Sequence, residues 1–148
     1  MIKDLLLAGL YAAGAAGFCA FYFNTNKYDI FWGALLGALG WAVYTFIQKT
    51  GFSALYAYFA GAFIVAIASE LLAVLIKNPA TVYLLPGLLP LVPGGGMFQT
   101  MRSAVNGNMD AALSLGFSTL GAAGAIALGI AIASSIARLL SKLINRKN

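Results

Sequence analysis

Glu70 is the only ionisable side chain set deep within an apolar stretch of this 148-residue sequence, the run from Phe52 to Ile76. A lone carboxylate in hydrocarbon is costly unless it is paired, hydrated or protonated, so an acid there marks a proton or cation path by default. Ala62, Ala66 and Ala73 share its helical face, which predicts a helix packed inward with Glu70 turned to the bundle interior. The alternative is a structural pair with Lys77, about two helical turns further on, reached by snorkelling to the interface.

The second constellation is Pro86-Gly87-Leu88-Leu89-Pro90-Leu91-Val92-Pro93-Gly94-Gly95-Gly96, three prolines and four glycines inside an apolar stretch. Prolines at 86, 90 and 93 share one helical face and remove the N–H partners of the carbonyls of Val82, Pro86 and Leu89. In lipid such a break is tolerated only within protein or beside a wet cavity, and transporters build substrate sites from broken helices in this way. Gly94, Gly95 and Gly96 can bring backbone N–H groups close to an anion at the start of the next helix. Freed acceptors followed by donors suit a zwitterion or a carboxylate. A kinked structural helix, satisfied by its neighbours, is the plainer reading.

Beyond the break, Gln99, Arg102, Asn106 and Asp110 form a polar stripe at helical spacing, opposite Phe98, Met101, Val105 and Met109. Arg102 lies about 9 Å of helix rise past Gly96, and helical side chains lean toward the N-terminus, so it is a candidate partner for an anion at the glycines. Asp110 is either the N-cap of the following helix or an ion-coupling group. The candidate substrate- or ion-binding residues are therefore Glu70, Pro86, Gly87, Pro90, Pro93, Gly94, Gly95, Gly96, Gln99, Arg102 and Asp110.

Covalent chemistry has little to work with. The chain has no histidine and a single cysteine, Cys19, which reads as a small helix residue. Zinc sites, disulfide frameworks and His-based nucleophiles are thus excluded, so no metal, no cofactor and no enzymatic activity are expected.

The elements that must position these residues belong in a bilayer. The sequence is 61% hydrophobic and only 9% charged, against about 25% charged residues in an average soluble domain. This predicts one transmembrane domain of all-α class with about five spans: 5–23, 30–47, 52–76, 80–98 and 111–137, the fourth broken by Pro/Gly. The start imitates a signal peptide but lacks a convincing cleavage site, so it is expected to remain as the first span. Residues 99–110 form an amphipathic connector, and 138–148 a basic tail whose apolar face lies along the membrane surface. The cations Arg138, Lys142, Arg146 and Lys147 place that tail in the cytoplasm and argue for orientation and lipid contact, not nucleic-acid binding. Whether the fourth segment crosses or re-enters is left open by the charges. Small-residue columns at Gly9/Ala13/Gly17, Gly33/Gly37 and Gly121/Ala125/Gly129/Ala133 predict close helix contacts, within the chain or with a partner.

The order Ser69-Glu70-Leu71-Leu72-Ala73, Asn78-Pro79-Ala80 and PGLLPLVPGGGMFQTMRSAVNGNMDAAL resembles the C-terminal half of the threonine/serine exporter family. Over nearly the whole chain it is similar to that family's short stand-alone subunit, the YjjB type, with Pro-Gly-x-x-Pro-Leu-Val-Pro-Gly the specific part. The resemblance implies two similar five-span halves in the fused members and a separate YjjP-type partner in the split ones. It also implies export of a small organic acid, threonine or serine in fused members and a succinate-like dicarboxylate in split ones. It carries Glu70, Pro86, Gly87, Pro90, Pro93, Gly94, Arg102 and Asp110 onto this sequence. The expected function is half of a secondary transporter exporting small carboxylates or amino acids across the bacterial inner membrane. The expected partner is a second five-span subunit of the YjjP type, or further copies of the same chain. The alternative is a non-transporting assembly or scaffold subunit.

Overall fold

The computed structural model describes residues 2–145, with side chains from 7 to 139. Its regular structure is helical throughout: α1 (Ile2–Tyr22), α2 (Lys27–Lys49), α3 (Ala54–Ile76), α4 (Thr81–Leu88), a 3-10 turn (Leu89–Leu91), α5 (Gly94–Val105) and α6 (Met109–Asn145). The expected all-α class is what is found. Helices α2, α3 and α6 are each long and apolar enough to cross a membrane, whereas α4 with the 3-10 turn and α5 pass that test only together, as a pair bent by 50°. The described apolar part of α1, Leu7–Tyr22, is shorter.

Helix ends follow local chemistry. Ser53 starts α3 by accepting a hydrogen bond from the Leu55 N–H at 3.4 Å. Lys77, with φ 60°, ends α3 in the left-handed region and turns the chain back toward α2. Gly107, with φ 77°, closes the link between α5 and α6, a conformation that favours glycine.

Helix α2 is the centre of the bundle. It runs antiparallel to α1, so closely that a Cβ on Gly37 would lie 2.5 Å from the Ala16 Cβ and 3.3 Å from the Ala12 carbonyl. It also runs antiparallel to α3, with Gly40 against Val65 and Gly61, and the Tyr44 and Tyr58 rings 4.6 Å apart between centroids. The broken segment lies across these helices, placing Pro86 on Gly33, Pro90 on Gly37, and Leu91 on Gly40 and Gly61. Helix α6 packs on another side of α3 and runs parallel to it, because Gly121 meets Leu55 while Gly129 meets Phe59 and Phe63. Helix α5 lies antiparallel on α6, with Gly96 against Thr119 and Thr100 against Gly116. The first 12 residues of α6 therefore precede the level at which α3 begins, so this hairpin extends about 18 Å past the bundle.

Several boundaries differ from the sequence reading. The amphipathic helix begins at Gly94 and not Gln99, because glycines with open surroundings join the helix that follows them. Asn108 supplies the cap to α6, its Oδ1 accepting from the Ala111 N–H at 3.2 Å, while Asp110 falls in the first turn. Helix α6 continues unbroken past Ser135 to Asn145, with Arg138 and Leu139 exposed; the tail side chains from 140 on, and Arg146 and Lys147 altogether, lie outside the described residues. The Gly33/Gly37 column and Gly129 are occupied by contacts within the chain.

Gly129 and Gly124 make a matched test. A Cβ at Gly129 would fall 2.7 Å from the Phe59 carbonyl oxygen and 3.1 Å from the Phe63 nitrogen, both backbone, whereas Gly124 has nothing within 4 Å. Gly129→Ala is expected to destabilise the chain by about 1–3 kcal/mol through overpacking. Gly124→Ala is expected to be neutral, or stabilising by up to about 1 kcal/mol. Thermal unfolding of the two variants in detergent checks both.

Candidate functional site

Prolines and glycines determine the shape of the break. The Pro86 carbonyl, freed by Pro90, accepts from the Leu89 N–H, and the Leu89 carbonyl, freed by Pro93, accepts from the Val92 N–H at 3.2 Å. Tightening into a 3-10 turn thus satisfies two of the three carbonyls expected to be open. Pro86 and Gly87 are buried, and a Cβ on Gly87 would lie 2.9 Å from Val65 and 3.1 Å from Leu36. Both are tightly packed against α2 and α3. Pro90 is half-buried and lines a cleft of about 350 Å³ with Ala8, Tyr11, Ala12 and Trp41.

The glycine triplet divides. Gly94 and Gly95 are exposed with nothing within 4 Å, while Gly96 packs on Thr119. Pro93 is half-buried, and its carbonyl accepts from the Met97 N–H at 3.1 Å. Gln99, Arg102 and Asp110 are all exposed, on α5 and at the start of α6. They lie at the same end of the molecule as Gly94 and Gly95.

Glu70 stands apart from them. It is half-buried and makes no ion pair with Lys77, which is exposed, so the structural pair is not formed. Phe59, Ala62 and Phe63, the residues against Gly129, place α6 on one side of α3, and Glu70 falls on that side about two turns further along. The break instead sits on the side carrying Gly61 and Val65. Gly61, level with Leu91, is nine residues from Glu70, about 14 Å of helix rise. The structure therefore does not bring Glu70 and the Pro/Gly break into one site.

A different carboxylate touches the broken segment. Asp29, in the first turn of α2, is only 4% exposed. Its Oδ1 accepts from the Tyr83 hydroxyl at 2.6 Å and its Oδ2 from the Asn78 side-chain amide at 2.9 Å. Asn78 Nδ2 also lies 3.3 Å from the Tyr83 oxygen. The turn at Lys77 aims Asn78, and the first turn of α4 supplies Tyr83, which is fully buried. The expected spans left Asp29 in the link between 5–23 and 30–47. The signal was present, because Asp29 precedes Gly33, Gly37 and Gly40 at i, i+4, i+8 and i+11, on the face that meets the break.

A cavity of about 740 Å³ lies between α1 and α3 across α2 and is lined by Gly9, Leu10, Trp32, Leu36, Leu72 and neighbouring apolar residues. Its lining carries no charged side chain to receive a zwitterion. Among the described residues no cluster of three or more His, Cys, Asp or Glu side chains could hold a metal ion.

Residues 8–136 match the family described as Threonine/Serine exporter, ThrE. The chain belongs to the threonine/serine exporter family. Neither the curated proteins nor the solved structures contain a match to it. Membership makes the chain a transport protein, and with its apolar helices a multi-pass membrane protein.

Tyr83→Phe is expected to lower stability by about 1–3 kcal/mol, because it leaves a buried carboxylate with one donor fewer. The same change at Tyr56, which is exposed, is expected to fall within about 0.5 kcal/mol of the unaltered protein. Thermal unfolding of the two variants in the same detergent provides the comparison.

Proposed function

We propose that this chain is one half of a secondary transporter that exports a small amino acid of the threonine/serine class, completed by a second membrane subunit. One observation carries this reading: the backbone at Gly94 and Gly95 and the polar side chains of Gln99, Arg102 and Asp110 are all exposed, on a hairpin that extends past the bundle where a second unit can meet them. Alternating access needs two units that move about a site between them. A second subunit of YjjP type, or a second copy, would cover this open end and give the glycine N–H groups and Arg102 an anion to share. Glu70, on the α6 side of α3, would serve ion coupling at a distance from the carboxylate of the substrate.

The same reading gives the chain five crossings. The parallel run of α6 and α3 supports it, because a re-entrant loop between two crossings would leave them antiparallel. With the basic C-terminal end in the cytoplasm of the bacterial inner membrane, Asp29 and Asn78 belong at the cytoplasmic end and α5 at the outer end.

Cysteines placed at Gly51 and Gly107, in a Cys19→Ala background, are expected to react with an impermeant maleimide from the outer side, and one at Asn26 is expected not to. Reaction at Gly107 and Asn26 without reaction at Gly51 would mean re-entry. For function, liposomes containing this chain with its second subunit are expected to move labelled threonine or serine, and those containing the chain alone are not. Succinate moving in place of both amino acids would reassign the substrate class. Glu70→Gln is expected to remove the pH dependence of flux while assembly survives, since it keeps the size and loses the titrating group. Unaided flux by a monomer would overturn the half-transporter reading.

A further inference from the structure

The broken segment is held to the bundle by two kinds of contact. Along most of its length the contact is shape alone: Pro86 on Gly33, Pro90 on Gly37, Leu91 on Gly40 and Gly61. Lipid is as apolar as these side chains, so separating them loses dispersion but meets no hydrophobic barrier. At its first turn the contact is Asp29, gripped by Tyr83 at 2.6 Å and Asn78 at 2.9 Å. A buried carboxylate deprived of its donors is far more costly than an apolar contact undone.

We propose that Asp29, Tyr83 and Asn78 form a charge-dependent latch that keeps the broken segment seated against α2 and α3, and that its release is a step of the transport cycle. The ionised carboxylate only accepts hydrogen bonds, which matches two donors facing it. Protonation gives it a donor of its own and replaces charge-assisted bonds by neutral ones of roughly half the strength. The segment is then free to lift from the glycine face of α2. Among the described residues no ion pair is made with this carboxylate: Lys27 and Tyr28 on α2, Tyr22 at the end of α1 and Lys77 after α3 are all exposed and unpaired with it. Glu70 lies on α3 beyond a further two turns. The tie is local to α2, the α3–α4 link and α4, which are the elements that must part for the segment to move.

The latch rests on the transporter reading for its purpose, but its test needs no flux. Val65 is fully buried beneath Gly87 and beside Gly40. A Val65→Cys thiol in the Cys19→Ala chain is therefore reachable only when the segment lifts. Its rate of reaction with a permeant maleimide is divided by that of a Gly95→Cys thiol, which is exposed, and the Asp29→Asn chain read at the same pH is the control for thiolate formation. At pH 7.5 Asp29→Asn and Tyr83→Phe are expected to raise this ratio roughly tenfold, the equivalent of one charge-assisted hydrogen bond. Acidification is expected to raise it in the unaltered chain and not in Asp29→Asn. If Val65→Cys fails to assemble, Leu91→Cys, at another fully buried position, replaces it. Equal ratios for the unaltered and Asp29→Asn chains at both pH values would overturn the latch and leave the half-transporter reading standing. Loss of reconstituted flux with the ratios as expected would do the reverse.

Discussion

Backbone-to-backbone approach is the constraint on which this structure depends. A bundle in lipid cannot rely on hiding apolar surface from water, because its surroundings are already apolar; contact itself must hold it together. Helix α2 meets that demand with glycines at 33, 37 and 40, against which α1, α3 and the broken segment all close. The two prolines at 86 and 90 fit the same row. Their rigid rings lose little side-chain freedom on packing, so the residues that break the helix also seat it.

The prolines therefore do less to open the backbone than their number suggests. Two of the three carbonyls they strip find new donors in the 3-10 turn, and what remains accessible is the helix start at Gly94 and Gly95. The bundle is polar at its two ends in different ways. One end holds a closed, fully bonded set of Asp29, Asn78 and Tyr83. The other presents Gln99, Arg102 and Asp110 outward on a hairpin that extends beyond the bundle. A transport protein whose closed polar set and open polar set sit at opposite ends of one broken segment has the parts of a lever. The segment is tied at the first and exposed at the second.

Much of this was readable without coordinates. The membrane setting, the all-helical class and a fourth apolar segment broken by Pro and Gly follow from composition and run length, because hydrocarbon leaves few ways to satisfy a backbone. Family membership was legible too, in the Pro-Gly-x-x-Pro-Leu-Val-Pro-Gly pattern, and the match over residues 8–136 agrees with it. The candidate site was legible less well. Proline and glycine spacing flagged Pro86 and Gly87, but the same spacing serves a substrate path and a packed interface equally, and only neighbours distinguish them.

Local residue types by themselves determined where helices start, stop and break in this chain, since each proline, glycine and cap acts on the few residues beside it. Tertiary structure alone decided which faces those helices show one another. It set Glu70 on the α6 side of α3, away from the break. It also brought Asp29 within 2.6 Å of Tyr83, a residue 54 positions later in the chain. Such pairings depend on how helices rotate and cross once packed, and that is settled by the sum of many weak contacts across the bundle, not by any residue alone.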